Sequence, residues 1–190
     1  MIASTYASFQ DNSCHGEDSF LVKDLGDGSF LDIVLDGVTG HGGEEASSSV
    51  ANALTAATIN SLEDVVNVLE EMNAEFFQVG GGRFLLTTVS AAMYQGDRIY
   101  AINAGDSPIY HIGPDTHQQL AGRVGGLLRP GGTKVIGGEE NLTLYRTELD
   151  AVPSDKLIIA SDGVSDNVHV SELVDIIRKA SSPEEASEMV

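Results

Sequence analysis

Residues 19–36 read SFLVKDLGDGSFLDIVLD. Two apolar runs, SFLVKD at 19–24 and FLDIVLD at 30–36, flank the turn LGDGS, and Asp27-Gly28 supplies the residue types that a tight hairpin turn asks for. The stretch predicts a β-hairpin. Beyond it, EEASSSVANALTAATI at 44–59 sets Ala46, Val50, Ala53, Leu54 and Ala57 on one stripe at helical spacing. From Ser61, SLEDVVNVLEEMNAEFF repeats the pattern with Leu62, Val65, Val66, Leu69, Met72 and Phe76, and Ser61 with Asp64 has the form of a capping box. Gly80, Gly81 and Gly82 then break the chain, and RFLLTTVSAAMY, RIYAINAGD and SPIYHIG predict a three-stranded meander. A Gly-rich stretch from Gly122 to Gly138 precedes two more strands, LTLYRTEL and KLIIASDG. Two helices close the chain, one capped by Ser171 and one opened by Ser182-Pro183. Antiparallel strands, a helix pair, more antiparallel strands and a second helix pair make an α+β layered domain rather than an alternating parallel sheet.

A chain of 190 residues with 42% hydrophobic content suits a single domain spanning 1–190. Its 29 Asp+Glu against 10 Lys+Arg give a net charge of −19, which repels phosphate backbones and anionic lipid, so neither nucleic acid nor membrane is an expected partner. Solubility is the default reading of such an excess, and only clustering of the acids distinguishes it from cation or basic-substrate binding. The single cysteine, Cys14, forms no internal disulfide, and the amino terminus has no signal-peptide pattern, so a reducing, cytoplasmic location is expected.

The acids do cluster in the sequence. Asp36-Gly37 and Asp162-Gly163 end apolar runs, Gly105-Asp106 follows another, and Glu17-Asp18 precedes the first strand. Asp-Gly is a common turn dipeptide, which is the bland reading of each site alone. Repeated at strand ends that converge in one sheet, the pattern points to hard divalent cations, which take oxygen ligands. His41, at the expected start of the first helix, either caps that helix and packs in the loop or donates a proton to a leaving oxygen.

Four segments in order, GEDSFLV at 16–22, LDGVTGHGGEEAS at 35–47, TTVSAAMYQGDRIYAINAGDSPIYHIG at 87–113 and VPSDKLIIASDGVSDNV at 152–168, resemble successive motifs of the PPM-type metal-dependent Ser/Thr protein phosphatases of bacteria. The resemblance implies a four-layer α-β-β-α sandwich, two antiparallel sheets flanked by helix pairs, with two Mg²⁺ or Mn²⁺ ions in the cleft and a third, weaker ion. It implies phosphoprotein substrates, hydrolysed at phosphoserine or phosphothreonine by a hydroxide that bridges the metals. By the same resemblance Asp36 matches the bridging ligand, Gly37 the carbonyl ligand and Asp162 the later aspartate on the second metal. Glu17 and Asp18 match the acidic pair near the first metal, and Asp106 the aspartate for the third ion.

Three positions depart from the family pattern. Ser13 stands where eukaryotic members hold substrate phosphate with an arginine, and Thr39 replaces a usual glycine, with an effect expected on the turn alone. The family's final strand, with its Asp-Asn pair, is absent, so the domain is expected to be truncated at its C-terminus. These departures leave a second reading, a phosphatase-like binding module with little turnover, and a third, hydrolysis of small phosphomonoesters. Arg123, Arg129 and Lys134 are candidates for substrate contact or solvated loop charges. His111, His117 and His169 read as surface or strand residues, Thr87-Thr88 as strand packing, and Tyr94, Tyr100 and Tyr110 as core.

Overall fold

The computed structural model describes residues 5–10, 16–122 and 134–190. Ser13, Cys14, Arg123 and Arg129 lie outside the described residues. The hairpin forms as expected: β1 (Ser19–Gly26) pairs antiparallel with β2 (Ser29–Leu35), Ser19 opposite Leu35 and Gly26 opposite Ser29. Asp27 and Gly28 both take positive φ, 52° and 74°, the backbone twist a two-residue hairpin turn requires.

Strands β3 (Val89–Gln95) and β4 (Arg98–Ala104) continue this sheet, and β7 (Tyr145–Asp150) closes it in the order β1-β2-β3-β4-β7. The expected meander breaks after β4, because β5 (Ile109–Ile112) joins a second sheet between β6 (His117–Ala121) and β8 (Lys156–Ile159). The turn that reads as a simple reversal redirects the chain. Gly105 takes φ 130°, and the carbonyl of Ser107 is held by Ser90 Oγ at 2.6 Å and Asn103 Nδ2 at 3.3 Å. Strand β6 carries no strand signal in its sequence, since HQQLA lacks an apolar alternation and only Leu120 and Ala121 are buried.

Helix α1 (Gly43–Ala56) stops short of the expected Ile59. Its end lacks basic residues of its own, and Lys23 of β1 supplies the charge, donating from Nζ to the carbonyls of Leu54, Thr55 and Ala57 at 2.9, 2.9 and 2.6 Å. Helix α2 (Leu62–Gly80) carries the expected Ser61–Asp64 capping box and ends at Gly81 in the left-handed region. Asp162–Ser165 forms the short helix α3. Helix α4 (Val170–Lys179) begins before Ser171, so His169 and not Ser171 holds the cap position, without a side-chain cap bond. Ser182 caps α5 (Pro183–Met189), accepting from Glu185 N at 3.2 Å.

Among the described residues, apolar side chains form three clusters. The largest packs Val50, Leu54, Val65 and Leu69 of α1 and α2 against Leu31, Ile33, Met93 and Ile102 of the five-stranded sheet. A second joins Ala101 to Ile109, Leu120 and Ala121, between the sheets, and a third seats Val174, Ile177 and Ala186 on Ile112. Tyr110 is buried, and Tyr94 and Tyr100 are partly so. His111 is a buried strand residue, its Nε2 lying 3.1 Å from Asp155 Oδ2 although the ring N–H is not aligned for a hydrogen bond. His117 is exposed on β6. No helix among the described residues is long and apolar enough to cross a membrane.

Candidate active site

The site is built around Asp36, one residue past the end of β2. Thr88 clamps it: the Thr88 N–H donates to the Asp36 carbonyl at 2.8 Å, and Thr88 Oγ1 accepts the Asp36 N–H at 3.0 Å. Thr87 Oγ1 donates to the same carbonyl at 3.1 Å. Thr88 also abuts Gly105, where a Cβ would lie 2.6 Å from Thr88 Cβ, so one threonine sets both the Asp36 turn and the turn that carries Asp106. These hydroxyls, which read from sequence as strand packing, are the positioning groups the apolar pattern conceals.

Gly37 permits the next close approach. A Cβ there would come within 2.4 Å of the Gly43 carbonyl carbon and 2.6 Å of the Glu17 carbonyl oxygen, so the first turn of α1 and the segment before β1 both press on this point. The Gly37 N–H donates to the Glu17 carbonyl at 3.2 Å, which also accepts from Ser47 Oγ at 2.6 Å. Thr39 does more than shape the turn, because its hydroxyl donates to the Glu17 carboxylate. Asp18 accepts from Ser161 Oγ at 2.9 Å, which links the segment before β1 to the residue before α3. Asp162 opens α3, and its N–H lies 3.5 Å from Asp36 Oδ2.

Four carboxylates from four separate segments thus lie near enough to influence one another. Burial, then repulsion from Asp18 and Asp162 and, more weakly, from Asp106, push Asp36 up to about 7, against the opposing pull of the Asp162 N–H. Asp162 is raised by burial and by Asp106, Asp166 and Asp18, so Asp166 of the SDN segment belongs to the same electrostatic group. The donor set is all oxygen, and its mutual repulsion is what a divalent cation would relieve. In chemistry and charge it fits Mg²⁺ or Mn²⁺. Among the described residues, however, no group of three or more His, Cys, Asp or Glu side chains is arranged to hold one metal ion.

His41 does not cap α1, whose cap position is Gly42. Its Nδ1 lies 2.7 Å from the Arg83 carbonyl, and since a carbonyl only accepts, Nδ1 carries the proton. Lys134 pairs with Glu139.

A family profile described as "Stage II sporulation protein E (SpoIIE)" matches residues 27–190. The chain belongs to this family of PPM-type Ser/Thr phosphatases. The SpoIIE-family fold recurs in solved bacterial structures. The Ser/Thr phosphatase Stp1 from Staphylococcus aureus is similar with a TM-score of 0.80 at 19% identity, over 99% of this chain and 88% of that one. PppA, a regulatory component of T6SS in Pseudomonas aeruginosa, gives 0.78 at 24% identity, over 92% and 82%. The Mycobacterium tuberculosis phosphatase PstP/Ppp gives 0.75 at 21% identity, over 93% and 84%. At these identities the likeness is one of fold. No curated protein matches the chain significantly.

Proposed function

We propose that this chain is a Mg²⁺- or Mn²⁺-dependent protein phosphatase acting on phosphoserine or phosphothreonine in the cytoplasm, built as one four-layer α-β-β-α domain. The observation that carries the reading is the convergence of separate segments of a SpoIIE-family fold on these acids, Ser161 Oγ donating to Asp18 at 2.9 Å and the Asp162 N–H lying 3.5 Å from Asp36 Oδ2. The three apolar clusters support the layering, and the lone Cys14 suits a reducing compartment.

In this reading Asp36, Asp162, Asp18 and the Gly37 carbonyl would hold paired ions, Glu17 would act on them through water and Asp106 would hold a third. When bound, such ions activate water and neutralise phosphoryl oxygens. Thr88 and Thr87 fix the backbone of Asp36 so that its carboxylate is aimed before substrate arrives. With Nδ1 donating to the Arg83 carbonyl, the other ring nitrogen of His41, Nε2, in its protonated form would donate a proton to the departing seryl or threonyl oxygen and recover one from water.

The open spacing of the acids favours a second reading, a phosphatase-like module that binds a phosphoprotein with little turnover. Hydrolysis of an aryl phosphate and of a phosphoserine peptide, with Mn²⁺ and with chelator, separates them. Metal-dependent turnover of both supports the phosphatase; phosphopeptide binding without turnover supports the module. Turnover of aryl phosphate alone points to a small phosphomonoesterase.

A further inference from the structure

In a chain this acidic, cations are scarce, and nearly all the described ones are occupied. Lys23 and Lys156 bind helix-end carbonyls, Arg178 binds those of Gly113 and Thr116, and Arg98, Lys134, Arg146 and Lys179 face carboxylates. Among the described residues Arg83 is the one cation whose side chain makes no hydrogen bond or ion pair.

Its location is defined by the backbone. The segment 83–88 runs beside 36–41: Thr88 on Asp36, Thr87 bridged to Gly37, the Leu86 carbonyl accepting from Val38 N at 2.9 Å, and the Arg83 carbonyl against His41 Nδ1. Arg83 therefore stands at the outer end of the loop pair whose inner end carries Asp36. Phe84 follows it, 46% exposed, with its ring against Gly42, where a Cβ would come 2.8 Å from Phe84 Cζ.

We infer that Arg83 and Phe84 form a recognition lip for the substrate segment flanking the phosphorylated residue, selecting an acidic side chain beside an apolar one. The inference rests on the phosphatase reading for the identity of the substrate. An acidic peptide approaching a protein of net charge −19 is repelled at most points, and a single unpaired guanidinium beside the site reverses that locally. The exposed ring gives the same peptide an apolar contact, and Arg adds a planar fork suited to carboxylates.

The test uses three phosphoserine peptides that differ only in flanking charge, acidic, neutral or basic, assayed with Mn²⁺ against wild type, Arg83→Ala, Arg83→Lys and Arg83→Glu. Wild type should prefer the acidic over the neutral peptide by up to about fivefold in kcat/KM, the scale of one solvent-exposed charge pair. Arg83→Ala should erase that preference, Arg83→Lys should keep most of it, and Arg83→Glu should reverse it in favour of the basic peptide. Added NaCl should compress the differences. A merely structural role for Arg83 lowers all three peptides equally, and that result overturns the inference, as does an unchanged preference in Arg83→Glu. Should wild type hydrolyse neither peptide nor aryl phosphate, the phosphatase reading fails and the lip does not. Fluorescence anisotropy of the same labelled peptides then decides, the same charge ranking supporting the lip and a flat one overturning it.

Discussion

Asp32 and Asp36 belong to the same hairpin arm, one in the middle of β2 and the other just past its end, and both hold their protons more tightly than a free carboxylate. The causes differ. Asp32 lies opposite Val22 and Ala92, its Oδ1 buried without a hydrogen-bond partner among the described residues, and burial alone raises it to about 6. Asp36 reaches about 7 because three other aspartates add to burial. An isolated buried acid relieves its cost by taking a proton, whereas several acids crowded at strand ends are relieved most effectively by a cation. The same hairpin arm thus carries an acid that strains the fold and, in the proposed reading, an acid that serves a cation.

The largest effect that sharpens this contrast is catalytic. Asp36→Ala should lower kcat/KM on a phosphoserine peptide by on the order of a thousandfold, the loss of several kcal/mol of transition-state stabilisation, and Asp162→Ala should act alike. Asp32→Ala should leave turnover within a few-fold of wild type; a comparable loss there would break the distinction. Next comes Gly37→Ala, whose new Cβ meets Gly43 backbone at 2.4 Å and should cost about 3 kcal/mol in urea unfolding.

The pH dependence is smaller and has a definite sign. A carboxyl raised in the folded state contributes stability that is full below its unfolded value near 4 and is lost as pH rises through the folded value. Metal-free protein should therefore weaken between pH 4 and about 6 through Asp32, and on to about 7 through Asp36. Asp32→Asn should be about 2 kcal/mol more stable than wild type at pH 8 and no more stable at pH 4, read from urea unfolding at the two values. Carboxyl NMR sharpens it further: Mg²⁺ should pull the Asp36 titration down and leave that of Asp32 in place. The smallest effect is that of Thr88→Val, which strips the acceptor from the Asp36 N–H and should cost about 1 kcal/mol together with some activity.

Much of this was legible in the sequence where chemistry is local. Asp27-Gly28 fixed the hairpin, Ser61–Asp64 fixed the start of α2, and the acids beside glycines marked the candidate site because a strand end and a tight backbone leave little ambiguity about where such residues go. What depended on distant partners was not legible. HQQLA pairs with β5 through its backbone, so its side chains carried no strand signal. The turn at 105–108 reads as a reversal until Ser90 and Asn103 are seen to grip it. Thr39, Thr88 and Ser161 look like turn or strand fillers, yet each hydroxyl bonds an acidic residue or its backbone from across the fold. Asp32 falls in an alternation of polar and apolar residues that suggests a solvent-facing side chain, and it is half-buried instead. Asn73, at a core position of α2, donates to the carbonyls of Glu139 and Glu140 and accepts from Gly137, a loop too remote in sequence to suggest.

The central claim, that the acids at the strand ends are a cation site and not a solvated surface, is tested most directly by thermal unfolding with metal. A ligand that binds only the native state adds RT ln(1 + [L]/Kd), about 2.7 kcal/mol at a hundredfold excess over Kd. Millimolar Mn²⁺ should raise Tm well above the rise given by NaCl at matched ionic strength. Asp36→Asn should melt higher than wild type without metal and lose most of the Mn²⁺ response, while Asp32→Asn keeps that response in full. An equal rise with NaCl, or an undiminished Mn²⁺ response in Asp36→Asn, would contradict the account.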